Sequence, residues 1–353
     1  MNPIDPKQLK RDATWRAQDI LFGLERVPES QKLILGSSDF GVYEFDVAAE
    51  KPERVAFTGE GHTSYVTGAA IVGQTLVTCS YDGKLIWWNL ADRQLIRKVD
   101  AHEKWIRRVI PWADKNRVIS VADDMQCKVW NVETGELVAS FTDHPAMTPN
   151  NYPSMLFAVD VSADSRWIAT GDKVGRTVIW NAETFEKTGE VETPILYTWD
   201  PKIRRHSIGG IRSVRFSHDG NRLAVGGIGK IGNIDHLDAP SRLEVFEWQA
   251  GKRLHELEDP KHKGLIEQIR WAEDDAWIMV AGGDHKGFVL FYDAASGEPL
   301  HAETSPGHIH GATFSDDGQT IYVAGHQMIE RFAVPQEAVP AESNPPKAAP
   351  AKS

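Results

Sequence analysis

Two histidines one residue apart have the clearest potential for chemistry in this sequence. His308 and His310 form a His-x-His pair. Alternate residues of a β-strand point to the same side, so both imidazoles could contact one metal ion. A third ligand is not evident, and the polar run 235–238 (Asp-His-Leu-Asp) lies in a glycine-rich stretch typical of a solvated loop. We therefore predict no metal site and no cofactor.

Motifs of common enzyme classes are also missing. The sequence has no Gly-x-Ser-x-Gly turn for a serine nucleophile and no phosphate-binding Lys-Ser/Thr loop. Cys79 and Cys127 fall in apolar parts of predicted strands, where a thiol is usually buried and unreactive. These observations predict a protein without catalytic activity.

Composition narrows the class of protein further. The 353 residues include 39 Lys and Arg against 50 Asp and Glu, so the net charge is −11, which argues against nucleic acid or an acidic membrane as the partner. No apolar run approaches the ~18–20 residues that span a bilayer, and the N-terminus lacks the apolar stretch of a secretory signal. Two cysteines cannot form a disulfide framework, so we expect a cytoplasmic protein.

The elements that would position the polar residues repeat along the chain. The strings 78–89 (TCSYDGKLIWWN), 120–131 (SVADDMQCKVWN) and 170–181 (TGDKVGRTVIWN) each contain a polar turn and an alternating run that ends in Trp-Asn. Weaker copies extend the series, whose terminal aromatic residues are Phe45, Trp88, Trp130, Trp180, Phe246, Tyr292 and Phe332. Their spacings of 43, 42, 50, 66, 46 and 40 residues are typical of a propeller array. Asp-Gly turns between apolar runs predict hairpins within each repeat.

On these residues the chain resembles the WD-repeat family. Gly61-His62 and Ala101-His102 precede repeats, Asp82-Gly83 forms a turn, and Trp88-Asn89 stands where the family has Trp-Asp. The resemblance covers roughly residues 15–333. It implies an all-β, seven-bladed β-propeller of four-stranded antiparallel blades around a central channel, with the ring closed by the N-terminal strand at residues 13–17.

The same resemblance divides the chain and implies a network of hydrogen bonds within the blades. The expected parts are an N-terminal extension (1–12), the propeller (13–333) and a Pro/Ala-rich tail (334–353), which its composition predicts to be disordered. The expected network residues are His62, Ser80, Asp82 and Trp88 in the second repeat and His102, Asp124 and Trp130 in the third. The first, fourth, fifth and seventh repeats lack a clean histidine, so we expect them to depend more on apolar packing.

Three connections are longer than the repeat requires. They cover residues 143–154, 192–210 and 226–241. Because successive strands of a blade alternate in direction, all three should emerge on one face of the propeller, which we name the top face. The second connection contains Tyr197, Trp199, Arg204 and Arg205, residue types that are enriched at binding hot spots. We interpret it as a docking ridge over blades four and five; alternatively, its aromatic side chains fold down and cover the rim.

The mouth of the channel is a second candidate surface. Tyr65 and Trp105 each stand just before the first strand of a blade, and Arg107 follows closely. They could contact a partner on the top face, or they could pack between neighbouring blades.

We therefore predict a non-catalytic, monomeric WD-repeat scaffold that displays a protein-interaction surface on its top face. The predicted partner-binding residues are Tyr65, Trp105, Arg107, Tyr197, Trp199, Arg204 and Arg205. One alternative is a propeller enzyme, lactonase-like or sugar-processing, that uses residues of the channel such as Arg107, Arg212, Glu267 and His310. Another is a sensor of an acidic or phosphorylated ligand. The sequence does not name the partner.

Overall fold

The structure is a computed structural model that describes residues 4–335. The predicted tail therefore lies outside the described residues from position 336 onward. Four short 3₁₀ turns occupy Pro6–Gln8, Ala113–Lys115, Pro194–Leu196 and Trp248–Ala250. Every longer element of the described chain is a β-strand, as the hairpin signals in the sequence predict.

The strands are numbered in chain order and form sheets that are antiparallel throughout. Blade 1 contains β1 (Lys10–Arg26), β2 (Lys32–Ser37), β3 (Val42–Asp46), β4 (Arg54–Ala56), β27 (Ile309–Phe314) and β28 (Thr320–Ala333). Blade 2 contains β5 (Val66–Val72), β6 (Thr75–Ser80), β7 (Lys84–Asn89) and β8 (Leu95–Asp100). Blade 3 contains β9 (Ile106–Trp112), β10 (Arg117–Ala122), β11 (Cys127–Asn131) and β12 (Leu137–Phe141).

The remaining strands form three more blades and a separate hairpin. Blade 4 contains β13 (Leu156–Val161), β14 (Trp167–Asp172), β15 (Arg176–Asn181) and β16 (Lys187–Glu192). The hairpin consists of β17 (Tyr197–Asp200) and β18 (His206–Gly209). Blade 5 contains β19 (Ser213–Phe216), β20 (Arg222–Ile228), β21 (Pro240–Glu247) and β22 (Lys252–Lys263). Blade 6 contains β23 (Leu265–Trp271), β24 (Trp277–Gly283), β25 (Gly287–Asp293) and β26 (Pro299–Ser305).

The prediction of seven four-stranded blades is wrong, because the described residues form six blades. The first and seventh repeats are joined in blade 1, a six-stranded sheet with the order β27-β28-β1-β2-β3-β4. Two long strands make this junction. Residues 10–20 of β1 pair with the second half of β28, and residues 21–26 pair with β2. The terminal aromatic residues count seven repeats. A sheet, however, ends only where the hydrogen bonds between strands stop, and here they continue from β28 through β1 to β2.

The hydrophobic core lies between neighbouring blades and not in one central mass. One cluster joins Val77 and Trp87 of blade 2 to Val109 and Val118 of blade 3, all of them buried. Inner strands such as β6 are buried along nearly their whole length, whereas the outer strand β22 alternates between exposed and partly buried residues. Each blade thus packs on both faces, which holds the loops of the top face on a rigid base.

Candidate protein-docking face

A hydrogen-bond network crosses blade 2 and fixes its loop on the top face. His62 Nδ1 lies 3.0 Å from Asp82 Oδ2, and His62 Nε2 lies 2.9 Å from Thr78 Oγ1. Trp88 Nε1–H donates to the same hydroxyl oxygen at 2.9 Å. The hydroxyl between the two rings therefore belongs to Thr78 and not to Ser80. Ser80 Oγ instead accepts a hydrogen bond from the Asp82 backbone N–H at 3.1 Å.

The acidic member of this network has a displaced pKa. Burial alone would raise the pKa of Asp82, but the hydrogen bond and charge of His62 lower it to about 2. Two backbone N–H groups, of Thr63 and Lys84, donate to the same carboxylate at 2.9 Å. Asp82 is therefore ionised across the physiological pH range and stabilises the turn.

The same arrangement recurs in blades 3 and 4. In blade 3, His102 contacts Asp124, and both His102 and Trp130 contact the hydroxyl of Ser120. In blade 4, the expected absence of a histidine is wrong. His144 supplies it, with its Nδ1 2.9 Å from Asp172 Oδ2 and its Nε2 2.8 Å from Thr170 Oγ1, to which Trp180 Nε1–H also donates at 2.9 Å.

The three long connections meet on the top face and form one structure, which we call the ridge (143–154, 192–210 and 226–241). Tyr197 Oη donates to Asn150 Oδ1 at 2.9 Å and lies 3.1 Å from Thr148 Oγ1. The Ile231 backbone N–H donates to Thr198 Oγ1 at 3.1 Å, which fastens the third connection to the second. The ridge is therefore a folded unit built on the hairpin β17–β18.

The predicted ridge residues have different environments. Tyr197 and Trp199 are half-buried, and the Trp199 ring lies 6.0 Å from that of Tyr152 in the first connection. Arg204 forms an exposed ion pair with Asp235 of the third connection, at 2.8 Å and 3.2 Å. Arg205 is exposed with a φ of 48°.

The tip of the hairpin carries an exposed apolar side chain that is not among the predicted partner-binding residues. Ile203 is 83% exposed between the two strands. The Asp200 carboxylate accepts the backbone N–H groups of Lys202, Ile203 and Arg204, so the tip has a defined turn beneath this exposed side chain. An isoleucine this exposed on an ordered turn is a candidate contact for a partner.

At the rim, Tyr65 and Trp105 belong to an arc of aromatic rings. Tyr81 lies between them, stacked on Trp105 with ring centroids 4.5 Å apart and 5.9 Å from Tyr65. Trp105 remains 50% exposed and Tyr65 41% exposed. Each ring thus packs on a neighbouring ring while part of it faces solvent, so the packing alternative holds in part and contact with a partner stays a prediction.

Arg107 lies below this arc at the mouth of the channel. It makes a bidentate ion pair with Asp123, with both distances 2.7 Å, and donates to Tyr81 Oη at 2.7 Å. Burial alone would lower the pKa of Arg107, but Asp123 and Tyr81 outweigh it and raise the pKa. Its contacts hold Asp123 and the aromatic arc in place.

The channel mouth has more cationic than acidic side chains. It is a cavity of about 220 Å³ with Arg107, Arg108, Arg212 and Glu267 in its wall. Arg212 lies over the Phe157 ring at 3.7 Å, and its buried Nη1 has no hydrogen-bond partner among residues 4–335. Nearby, Lys173 is only 4% exposed, and burial together with Arg212 and Arg107 lowers its pKa to about 8.

Reasoning from the sequence missed Lys173, Tyr81 and Phe157 at this mouth. Lys173 follows directly after the Asp172 that ends β14, and its amide donates to the Met155 carbonyl, which places it beside the channel. The sequence signal that could have identified Lys173 is a basic residue directly after a predicted inner strand. This position does not predict that the side chain is buried.

One glycine motif in the ridge is not a nucleotide site. Gly227, Gly229 and Gly232 have the Gly-x-Gly-x-x-Gly spacing at the end of β20, so the interpretation that the sequence lacks this motif after a strand is wrong. The segment joins two strands, β20 and β21. A dinucleotide site needs a helix N-terminus after this motif to bind the pyrophosphate, so the spacing carries no such function here.

The comparisons with known proteins agree with this architecture. A family model described as "WD domain, G-beta repeat" matches residues 54–89 and 93–131, which cover the fourth strand of the first repeat and most of blades 2 and 3. The chain is a WD-repeat β-propeller protein. The resemblance found in the sequence is thereby confirmed. WD-repeat propeller proteins commonly act as scaffolds for protein interactions.

Relatives of this WD-repeat protein are distant. Eukaryotic translation initiation factor 3 subunit I of Lodderomyces elongisporus is 26% identical over 206 residues, which cover 58% of this chain and 52% of that protein. Protein hir-1 of Neurospora crassa is 27% identical over 173 residues, 45% of this chain and 16% of that protein. F-box/WD repeat-containing protein sel-10 of Caenorhabditis elegans is 27% identical over 112 residues, 31% of this chain and 19% of that protein. The chain spans about half the length of the initiation-factor subunits it matches. Between residues 4 and 335, no helix is long and apolar enough to cross a membrane.

Proposed function

We propose that this WD-repeat protein is a non-catalytic scaffold whose top face binds an acidic segment of a protein partner. The observation that carries the proposal is the cationic channel mouth next to the ridge. Arg212 and Lys173 are buried there, and neither has a carboxylate within ion-pair distance among the described residues. The chain as a whole carries a charge of −11, so this local excess of positive charge is the feature that an acidic ligand would recognise.

The ridge and rim support a partner that also has apolar side chains. Ile203 at the tip and Trp105 and Tyr65 at the rim present exposed apolar area on the same face as the cationic mouth. Aromatic residues on a rigid base lose little conformational entropy when a partner binds. We infer that the bound segment alternates carboxylates with aliphatic or aromatic residues.

The relatives support protein binding as the general activity. One is named as a subunit of an initiation factor, another as an F-box/WD repeat-containing protein, and none of the three names given above states an enzymatic activity. We extend this to a cytoplasmic, monomeric scaffold, in line with the initiation-factor relatives and the two free, buried cysteines. A propeller enzyme would need several carboxylates to converge, whereas Glu267 is the carboxylate in the described wall of the mouth and the nearby Asp123 is paired with Arg107.

Quantitative capture from native lysate tests the ridge. Ile203→Asp adds a negative charge to an 83% exposed side chain, so it should not unfold the protein but should repel an acidic partner. Ile96→Asp on the outer strand β8, where the side chain is 45% exposed, is the matched control. We expect the proteins captured by wild type to fall at least fivefold with Ile203→Asp and to be retained by Ile96→Asp. Equal capture by both variants would show that the ridge does not bind the partner.

A further inference from the structure

Three histidines converge beside the channel mouth. His308 and His310 stack with ring centroids 4.3 Å apart, and the His326 ring lies 5.5 Å from the first and 5.1 Å from the second. One nitrogen from each residue lies within 4.8 Å of the other two. His326 is thus the third candidate ligand that was not evident from the sequence.

The fold places these side chains together from two adjacent strands. His308 directly precedes β27, His310 lies within it, and His326 lies in β28. The His326 backbone N–H donates to the His308 carbonyl at 2.9 Å, so the two residues lie side by side on neighbouring strand segments. A Cβ on the neighbouring Gly325 would collide with the His308 carbonyl, which shows how closely the strands approach. The cluster is therefore held by backbone geometry.

The imidazole nitrogens are available to a ligand. His308 Nε2 and His310 Nε2 are buried and have no hydrogen-bond partner within residues 4–335. A buried polar atom without a partner is costly, and a bound cation would satisfy it.

The surroundings offer a divalent cation one carboxylate and an open side, although Arg107, Arg108 and Arg212 line the same channel mouth. Glu267 Oε1 lies 3.6 Å from His308 Nε2, which brings a negative charge to the cluster. His326 is exposed, so solvent reaches the cluster from the top face.

We propose that His308, His310 and His326 bind one Zn²⁺ ion, with a water or a partner side chain in the fourth position. With Zn–N distances of about 2.0–2.1 Å, tetrahedral ligands stand about 3.4 Å apart, so nitrogens that lie within 4.8 Å of one another must approach by at most about 1.4 Å. His326 is exposed and can make this movement by rotating its side chain. The proposal does not rest on the acidic partner, since the observations behind it are the three histidines and the neighbouring Glu267.

Isothermal titration of ZnCl₂ into chelator-treated, tag-free protein tests this site. We expect one equivalent to bind wild type. His326→Ala, which alters an exposed side chain, should weaken the affinity at least about tenfold, since even loss of an outer partner costs 10–100-fold. His236→Ala, which changes an exposed histidine of the ridge, is the matched control and should leave the affinity unchanged.

Co²⁺ gives a second measurement that does not depend on the stability of a variant. Tetrahedral Co²⁺ bound to three histidines should show visible absorption that saturates at one equivalent in wild type and in His236→Ala, and that is lost in His326→Ala. No binding of either ion to wild type, or equal binding by the His326 and His236 variants, would overturn the proposal. Capture of the acidic partner is measured separately, so failure of one proposal is distinguishable from failure of the other.

Discussion

At the scale of single residues, the blade networks show what sequence spacing can and cannot resolve. The pairs His62–Asp82 and His102–Asp124 could be expected from the family resemblance, because these residues stand where the family has its network residues. The hydroxyl could not, because Thr78 and Ser80 are two residues apart on one strand and therefore point to the same side. Only the register, in which Trp88 lies opposite Leu76, brings the indole nitrogen to Thr78.

Removal of one of these hydroxyl groups should be costly. Thr170→Val keeps the shape of the side chain but leaves His144 Nε2 and Trp180 Nε1 buried without a partner. We expect a loss of about 1–3 kcal/mol in the free energy of unfolding, measured by urea denaturation. Thr170→Ser, which retains the hydroxyl as Ser120 does in blade 3, should lose much less. No loss in Thr170→Val would show that these hydrogen bonds contribute little to stability, and a loss confined to Thr170→Ser would show that packing of the methyl group matters instead.

The pKa of Asp82 predicts how stability depends on pH. The folded-state pKa is about 2, below the ordinary value of 3.8. The ionised form is therefore favoured by folding, and its stabilisation is fully present above about pH 4 and is lost as the pH falls toward 2. Asp82→Asn should flatten the fall of the unfolding midpoint between pH 4 and 2, measured by circular dichroism. Asp100→Asn, at an 87% exposed carboxylate, should keep the wild-type slope.

At the scale of elements, the long connections explain why His144 and the hairpin β17–β18 were not predicted from the sequence. His144 stands 28 residues before Asp172, whereas the corresponding separations in blades 2 and 3 are 20 and 22 residues. His144 lies at the start of the connection 143–154, and the rest of this connection separates it from β13. The spacing of the repeats therefore did not identify it as the histidine of blade 4. The hairpin β17–β18 was missed as regular structure because its strands have only four residues each and no Asn-Gly or Asp-Gly turn.

The hairpin should be separable from the propeller. The Gly210 backbone N–H donates to the Leu196 carbonyl at 2.7 Å, so the two ends of the hairpin are adjacent. Replacement of residues 198–208 by Gly-Gly should leave the blade sheets folded, with an unchanged far-ultraviolet spectrum apart from the lost hairpin, because the hairpin supplies no strand to a blade. Capture of the partner should be lost. Loss of the β-sheet spectrum in the deletion variant would show instead that the blades need the ridge in order to fold.

At the scale of the whole molecule, the repeats predicted an all-β propeller but not its number of sheets. The all-β class follows from alternation and turn residues, which are local properties. The union of the first and seventh repeats depends on contacts between residues about 300 positions apart, such as Trp15 opposite Ile329. A local pattern contains no information on whether such a ladder is interrupted.

Trp15 tests the importance of this junction. Its ring packs edge-on against Phe45 at 5.8 Å, so it links the two halves of blade 1. We expect Trp15→Ala to lower the free energy of unfolding by about 2–3 kcal/mol, somewhat less than for a fully buried tryptophan. Trp105→Ala at the half-exposed rim is the control and should cost less than about 1 kcal/mol. Equal effects of the two substitutions would show that Trp15 at the junction contributes no more to the free energy of unfolding than a half-exposed tryptophan at the rim.

The affinity of the top face for an acidic peptide tests the central claim most directly. The probe is an array of dodecapeptides in which carboxylates alternate with aliphatic or aromatic residues, each paired with its Asn/Gln counterpart. We predict that wild type binds acidic members more tightly than their amide counterparts, and that the preference weakens as salt is raised. Lys173→Met at the channel mouth should abolish the preference, whereas Lys252→Met, at an exposed lysine after a turn of blade 5, should keep it. Equal affinity for acidic and amide peptides, or an unchanged preference in Lys173→Met, would contradict the account.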